Sequence, residues 1–339
     1  MTDVEALHCG GFAYAELGQV WKEATLSVLW SAHRILALRG ARGGVWPQRG
    51  SGVRASTLGC AGHPNHGEEM EKLNLGITGD TIPALGLGTF GIGGKFKPDG
   101  SSLIENIAII KKAIEMGYTL IDTAESYCGG QSEVIVGEVI KDFPRDDLFI
   151  VSKISPENCK FLKVIKSAKQ SVARLGTHMD MCLVHMPPKN SISETIIAME
   201  KLIDMGLTRH IGISNFNERQ TIEAAYAVKK YTIAVNQSEM SLDAQNLSVL
   251  DTCRNLGISF MAYRPLGNGD LLKNPKFSEV KKMGKKYKKT GVQTALRWVM
   301  DMDIPTLVNS TNETHLKENL GALDWNLGDD WDTLAAEFR

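Results

Sequence analysis

Seven short apolar runs in the chain each close on a polar residue: Thr119–Asp122, Phe149–Lys153, Met181–His185, Ile211–Asn215, Ile233–Gln237, Ser259–Tyr263 and Ile304–Asn309. Leu85–Gly88 supplies an eighth run. Continuous apolar runs of this length suit strands buried on both faces, and the spacing between most of them leaves room for one crossover helix. Eight such units predict a (β/α)8 TIM barrel, an α/β fold in which the polar residues ending the strands form one rim.

The intervening segments carry helical grammar. Ser102 and Glu105 have capping-box spacing, Ile107, Ile110 and Ile114 follow at helical period, and Gly117 stands where a left-handed C-terminal cap is wanted. Ile165, Ala168, Val172 and Leu175 lead in the same way to Gly176, and Ile196, Met199 and Ile203 to Gly206; another segment ends at Gly257. A strand follows each of these glycines, as alternation requires.

Composition narrows the functional classes. The formal net charge is −1, so no bulk field draws the chain to nucleic acid or to an anionic membrane. Lys281, Lys282, Lys285, Lys286, Lys288 and Lys289 form the one dense basic run, read as a solvated surface before a helix containing Gln293 to Met300. Six cysteines show neither paired metal spacing nor a disulfide framework, which predicts a reducing, cytoplasmic setting. No apolar stretch is long enough to span a bilayer. Cys128, beside Tyr127, is expected in a rim loop open to oxidation, and Gly91–Gly94 reads as a flexible rim loop.

Residues 70–339 hold the whole pattern and suffice for a single barrel, which takes roughly 250 residues. Residues 1–69 do not fit it. They contain several arginines and many glycines, with no acidic residue between Glu23 and Glu68. Asp3 and Glu5 argue against a targeting peptide, so the expectation is a disordered N-terminal extension or a start placed upstream of Met70.

The chemistry starts at Asp122-Thr-Ala-Glu-Ser-Tyr127. An aspartate ending a buried strand needs a partner, and Lys153 ends the next run. An ammonium group there is expected to lower the pKa of the Tyr127 phenol, while His185, one strand further on, can hydrogen-bond a substrate oxygen or relay a proton. Singly, each residue is more often structural. Together, on successive strand ends, they point to catalysis.

The ordered set DTAESY, VSK, LVHMPP, HIGISNFN, VNQSE, AYRPLGNG, QTALRWVM and IPTLVNS…HLKENL resembles the aldo-keto reductase family over essentially all of residues 70–331. The resemblance implies an enzyme that reduces small aldehydes, ketones or open-chain sugars with NADP(H), or with NAD(H). Tyr127 would be the proton donor, Lys153 and Asp122 its tuning pair, and His185 the residue orienting the carbonyl. It places Ser214, Asn215 and Gln237 on the nicotinamide carboxamide and stacks Tyr263 on its ring, an arrangement that amide chemistry and an aromatic face beside a cationic ring also favour. Gly88, Thr89, Phe90 and Asp122 would contact cofactor or substrate, as would Arg264 and Leu266. Asn309, Ser310 and His315 would meet the adenosine phosphate, and Glu318 and Asn319 the adenine.

Departures from the family pattern bear on cofactor choice. Asn309 stands where many NADPH-using relatives have lysine, and His315 where they have arginine. Asparagine lacks the charge and fork geometry that hold a 2′-phosphate, so discrimination for NADPH is expected to be weak; Arg264 is the alternative source of charge. The short acidic and apolar tail after Leu327 predicts an open substrate pocket. No metal ligand and no nucleic-acid or membrane partner is expected, and the oligomeric state is not readable, with a monomer slightly favoured. The alternatives are an NAD(P)+-dependent sugar or alcohol dehydrogenase, and a cofactor-sensing regulatory subunit with little turnover.

Overall fold

The computed structural model describes residues 70–94, 97 and 103–338. The expected extension 1–69 and Ser102 of the expected capping box lie outside the described residues. The chain opens with a small antiparallel hairpin, β1 (Lys72–Asn74) and β2 (Thr81–Pro83). Eight parallel strands then close into a barrel: β3 (Leu85–Gly88), β4 (Leu120–Asp122), β5 (Phe149–Ile154), β6 (Met179–Val184), β7 (Thr208–Ser214), β8 (Ile233–Glu239), β9 (Ser259–Tyr263) and β10 (Thr306–Val308). Closure runs through β10, which pairs with both β9 and β3. The predicted TIM barrel is the observed fold.

The crossover helices are α1 (Leu103–Glu115), α2 (Gln131–Ile140), α3 (Phe161–Leu175), α4 (Ile192–Asp204), α5 (Glu218–Ala227) and α6 (Leu247–Leu256). α7 (Phe277–Lys286) and α8 (Gly291–Met300) both lie between β9 and β10, and α9 (Glu313–Leu320) and α10 (Asp330–Glu337) complete the chain. Local chemistry sets their ends. Asn217 with Gln220, and Thr290 with Gln293, form reciprocal capping boxes at the starts of α5 and α8, satisfying backbone N–H groups that a helix leaves open. Gly117, Gly176, Gly206 and Gly257 all take positive φ at helix ends, as their spacing predicted.

Two apolar layers result. The larger one packs helices on the outer wall of the barrel, with Ile110, Val136, Ala168, Met199, Ala224 and Val299 among its buried residues. The smaller one fills the barrel itself: Leu120, Phe149, Val151, Met181, Leu183, Val235, Met261 and Leu307 meet Leu75 and Ile82 from the hairpin. Each fully buried Leu or Met in such a layer contributes about 1.5–3 kcal/mol. Gly86 and Gly212 make this filling fit, since a Cβ on Gly86 would lie 2.5 Å from Leu120 and 2.8 Å from Leu307, and one on Gly212 would lie 2.6 Å from Leu183. The hairpin closes the N-terminal end. Gly76 N donates to Ser259 Oγ (2.7 Å), and Asp80 accepts from His210 and Arg209 at the start of β7.

The short acidic and apolar segment after Leu327 is ordered as a helix. It forms α10, whose Trp331 stacks on Trp298 of α8 at 5.2 Å and donates to its carbonyl, because a half-buried indole finds both an aromatic face and an acceptor there. The basic run of α7 is laced to acidic neighbours, with Lys286 on Asp330 and Lys282 near Glu279.

Candidate active site

Strand alternation builds the site. Leu120, Val151, Leu183, Val235, Met261 and Leu307 point into the barrel, so the residues two further along each strand share that direction. Those residues are Asp122, Lys153, His185, Gln237, Tyr263 and Asn309. Parallel strands bring all six C-terminal ends to one mouth.

Lys153 is the hub. It is 1% exposed, and its Nζ forms an ion pair with Asp122 Oδ1 while donating to the Thr123 carbonyl (2.9 Å) and the Tyr127 hydroxyl (3.2 Å). These acceptors use all three ammonium donors. The other Asp122 oxygen accepts from Gln237 Nε2 (2.7 Å). An ionised carboxylate only accepts, so this bond fixes the amide's orientation and leaves Gln237 Oε1 as an acceptor at the mouth. Tyr127 is held edge-on between Phe90 (5.4 Å between ring centres) and His185 (5.6 Å).

Burial decides the electrostatics. It opposes the Lys153 charge, but Asp122 and Tyr127 together outweigh it and the lysine pKa is raised. Burial also raises the Tyr127 phenol above its ordinary value of about 10. The expectation of a lowered phenol pKa is therefore corrected: Lys153 pulls it down, but desolvation and the Asp122 charge push it up by more. His185 is pushed down to about 3 by burial and by Lys153, which makes it neutral across the physiological range and excludes an imidazolium relay there.

The rest of the rim is ordered around this hub. Asn215, with φ at +63°, donates to the His185 carbonyl (3.0 Å) and Ser214 Oγ (3.0 Å) and accepts from the Tyr263 hydroxyl (2.7 Å). Arg264 is exposed beside it, 3.9 Å from Glu239, and Leu266 is half-buried against the outer core. Gly88 is half-buried and Phe90 exposed at the end of β3. Thr89 between them does not face the mouth: it is fully buried, with its hydroxyl donating to the Asp122 carbonyl (3.0 Å) and accepting from Ser132 (2.8 Å). Asn309 donates to the Phe90 carbonyl at 2.6 Å. Ser310 and Glu318 are half-buried and His315 is exposed on α9, whereas Asn319 is buried and faces the Tyr118 hydroxyl.

Two features were not foreseen. The Ser126 hydroxyl lies 3.3 Å from His185 Nδ1, a contact hidden within the DTAESY run because only the turn after β4 aims it. Cys128 is not an accessible rim thiol; it is fully buried with Sγ donating to the Gly93 carbonyl, since a positive φ at Cys128 turns it inward.

Comparison with known proteins places this rim. The model of the "Aldo/keto reductase family" matches residues 84–333. The chain belongs to the aldo/keto reductase family. Methylglyoxal reductase DkgB of Salmonella typhi is 36% identical over 263 residues, covering 76% of this chain and 93% of that protein. A thermostable aldo-keto reductase solved with the inhibitor epalrestat superposes with a TM-score of 0.76 at 36% identity, covering 79% of this chain and all of that one. An aldo/keto reductase from Klebsiella pneumoniae, solved with NADP and acetate, gives 0.70 at 27% identity over 79% and 96% of the two chains. As an aldo/keto reductase, the chain is an NAD(P)H-dependent oxidoreductase that reduces carbonyl groups to alcohols.

Proposed function

We propose that this aldo/keto reductase reduces small, reactive aldehydes of the methylglyoxal class in the cytoplasm, accepting NADPH and NADH with little discrimination, and that Tyr127 delivers the proton. The observation that carries the proposal is the buried Asp122–Lys153 pair donating to a tyrosine hydroxyl at the barrel mouth.

A reduced nicotinamide held by Ser214, Asn215, Gln237 and Tyr263 would supply the hydride to the carbonyl carbon. The carbonyl oxygen then gathers alkoxide charge, and the Tyr127 hydroxyl stabilises it by a hydrogen bond and gives up its proton. A raised phenol pKa serves this direction. Tyr127 stays protonated at neutral pH and so has a proton to give to the developing alkoxide. Lys153, 3.2 Å away, holds the tyrosinate that remains until it is reprotonated. His185, neutral, offers a ring N–H as a second donor to the same oxygen. Run backwards, the same groups oxidise an alcohol.

The donor set fits the cofactor. Gln237 Oε1 and the second lone pair of Asn215 Oδ1 provide acceptors and the Ser214 hydroxyl a donor for a carboxamide, and the Tyr263 ring supplies a stacking face. Neither Asn309 nor His315 carries a permanent charge for a 2′-phosphate, and the Asn309 amide is already engaged with Phe90. The substrate class rests on the methylglyoxal reductase relative, and Phe90 and His185 flank Tyr127 at the mouth. Four buried cysteines that form no disulfide among the described residues support a reducing compartment.

Steady-state oxidation of NADPH and NADH with methylglyoxal, glyoxal, glyceraldehyde and xylose tests the reading. The expected result is fastest turnover with the dicarbonyls and kcat/KM values for the two cofactors within about tenfold, because the bonds from a cationic donor that would separate them, about 1.5–3 kcal/mol each, have no permanently charged side chain at 309 or 315. Tight cofactor binding without turnover of any carbonyl would overturn it in favour of a regulatory subunit.

A further inference from the structure

We infer that Ser126 is a positioning residue that donates its hydroxyl to Nδ1 of His185 and so fixes the imidazole as the tautomer whose Nε2–H faces the substrate oxygen. This rests on the reading of His185 as a hydrogen-bond donor to the carbonyl.

A neutral imidazole carries one proton on one of two nitrogens, and the partner of the other nitrogen selects which. A carbonyl or carboxylate at Nδ1 would hold the proton there and leave Nε2 bare, an acceptor that repels a developing alkoxide. Among the described residues, the hydrogen bond recorded at Nδ1 is to the Ser126 hydroxyl, 3.3 Å away, and a hydroxyl can donate. The nearby Asn215 amide is committed elsewhere, to the His185 carbonyl and Ser214. The His185 backbone is itself fixed, with its N–H on the Ile154 carbonyl (2.9 Å) and its carbonyl held by Asn215. Only the ring's proton placement is left to be set, and Ser126 sits at the atom that sets it. The 3.3 Å separation is long for such a bond; contacts of this kind tighten when substrate and cofactor seat.

Ser126 is exposed and contributes nothing to the core, so its replacement should leave the fold intact. The test uses the full chain with NADP+ bound and measures His185 ring-nitrogen chemical shifts in the wild type, Ser126→Ala and Ser126→Thr, together with kcat and KM for methylglyoxal. Expected are a bare Nδ1 in the wild type and in Ser126→Thr, a mixed tautomer in Ser126→Ala, and a fall of about three- to tenfold in kcat/KM for the alanine variant, the size of one neutral hydrogen bond. Threonine should restore most of that loss, which a merely structural change would not allow. An Nδ1–H tautomer in the wild type, or unchanged shifts and kinetics in Ser126→Ala, would overturn the inference. His185→Ala separates the two readings. If it retains full turnover while Ser126→Ala still changes the ring shifts, the role of His185 fails and the Ser126 contact stands.

Discussion

Replacing Asp122 by Asn should invert how stability depends on pH. In the native chain Asp122 accepts from Lys153 on one oxygen and from Gln237 on the other, and both charged groups are almost wholly buried. An asparagine of the same shape has one acceptor, so its NH2 must face either the lysine or the Gln237 NH2, and Lys153 loses its counter-charge. Burial, which the pair outweighs in the native chain, then becomes the dominant influence and favours a neutral lysine. Removing the proton from a lysine with an unfolded pKa of about 10.4 costs about 4.6 kcal/mol at pH 7, that is 3.4 pH units at 1.36 kcal/mol each. This figure lies within the range of about 3–5 kcal/mol for breaking one side of a buried pair. At roughly 2–4 °C per kcal/mol, Tm should fall by roughly 9–18 °C at pH 7. The sign follows from linkage. Native Lys153 has a raised pKa, so its contribution is fully present below pH 10.4 and lost above it; in the variant the pKa is depressed, and stability rises as pH approaches 10. Thermal melts of both proteins at pH 7, 8.5 and 10 read this directly. A Tm deficit that stays constant across the three would refute the reasoning.

Three further outcomes are expected. His185, neutral above about pH 3, should contribute no limb near pH 6.5 to kcat/KM; its depressed value instead removes stability as pH falls from 6.5 towards 3, visible as a declining Tm, and a rate limb near 6.5 would contradict its burial. Introducing Asn309→Lys with His315→Arg should raise the ratio of kcat/KM for NADPH over NADH by about 10–100-fold, by adding charge-assisted donors, and an unchanged ratio would place the phosphate elsewhere. Gly86→Ala should lower stability by about 1–3 kcal/mol in a denaturant titration, because its Cβ would overlap Leu120 and Leu307 inside the barrel.

What the sequence revealed and what it hid divide along physical lines. Strands buried on both faces write continuous apolar runs, so β3 to β10 were readable, and period-two geometry carried Asp122, Lys153 and His185 to one mouth from their positions alone. The hairpin β1–β2 was not readable, because three-residue strands carry no periodicity and only Leu75 and Ile82, seen in place, reveal it as the plug of the barrel. Nor was α10, whose anchor is a stack between Trp298 and Trp331 that no local pattern encodes. The direction of the Tyr127 pKa was misjudged for a related reason. Sequence names the charges near a phenol but not how much water burial removes from it. Ser126 and Cys128 show the same gap at one remove, since the turn after β4 sends the first outward to His185 and the second inward to Gly93.

The central claim is that Tyr127 gives the proton to the carbonyl oxygen. Its most direct test compares kcat for methylglyoxal reduction in wild type and Tyr127→Phe, with NADPH affinity measured in parallel by cofactor fluorescence. Loss of turnover by about 10²–10⁴-fold, the range for a general acid, with NADPH affinity unchanged is the predicted result. Retention of wild-type turnover by the phenylalanine variant would contradict it.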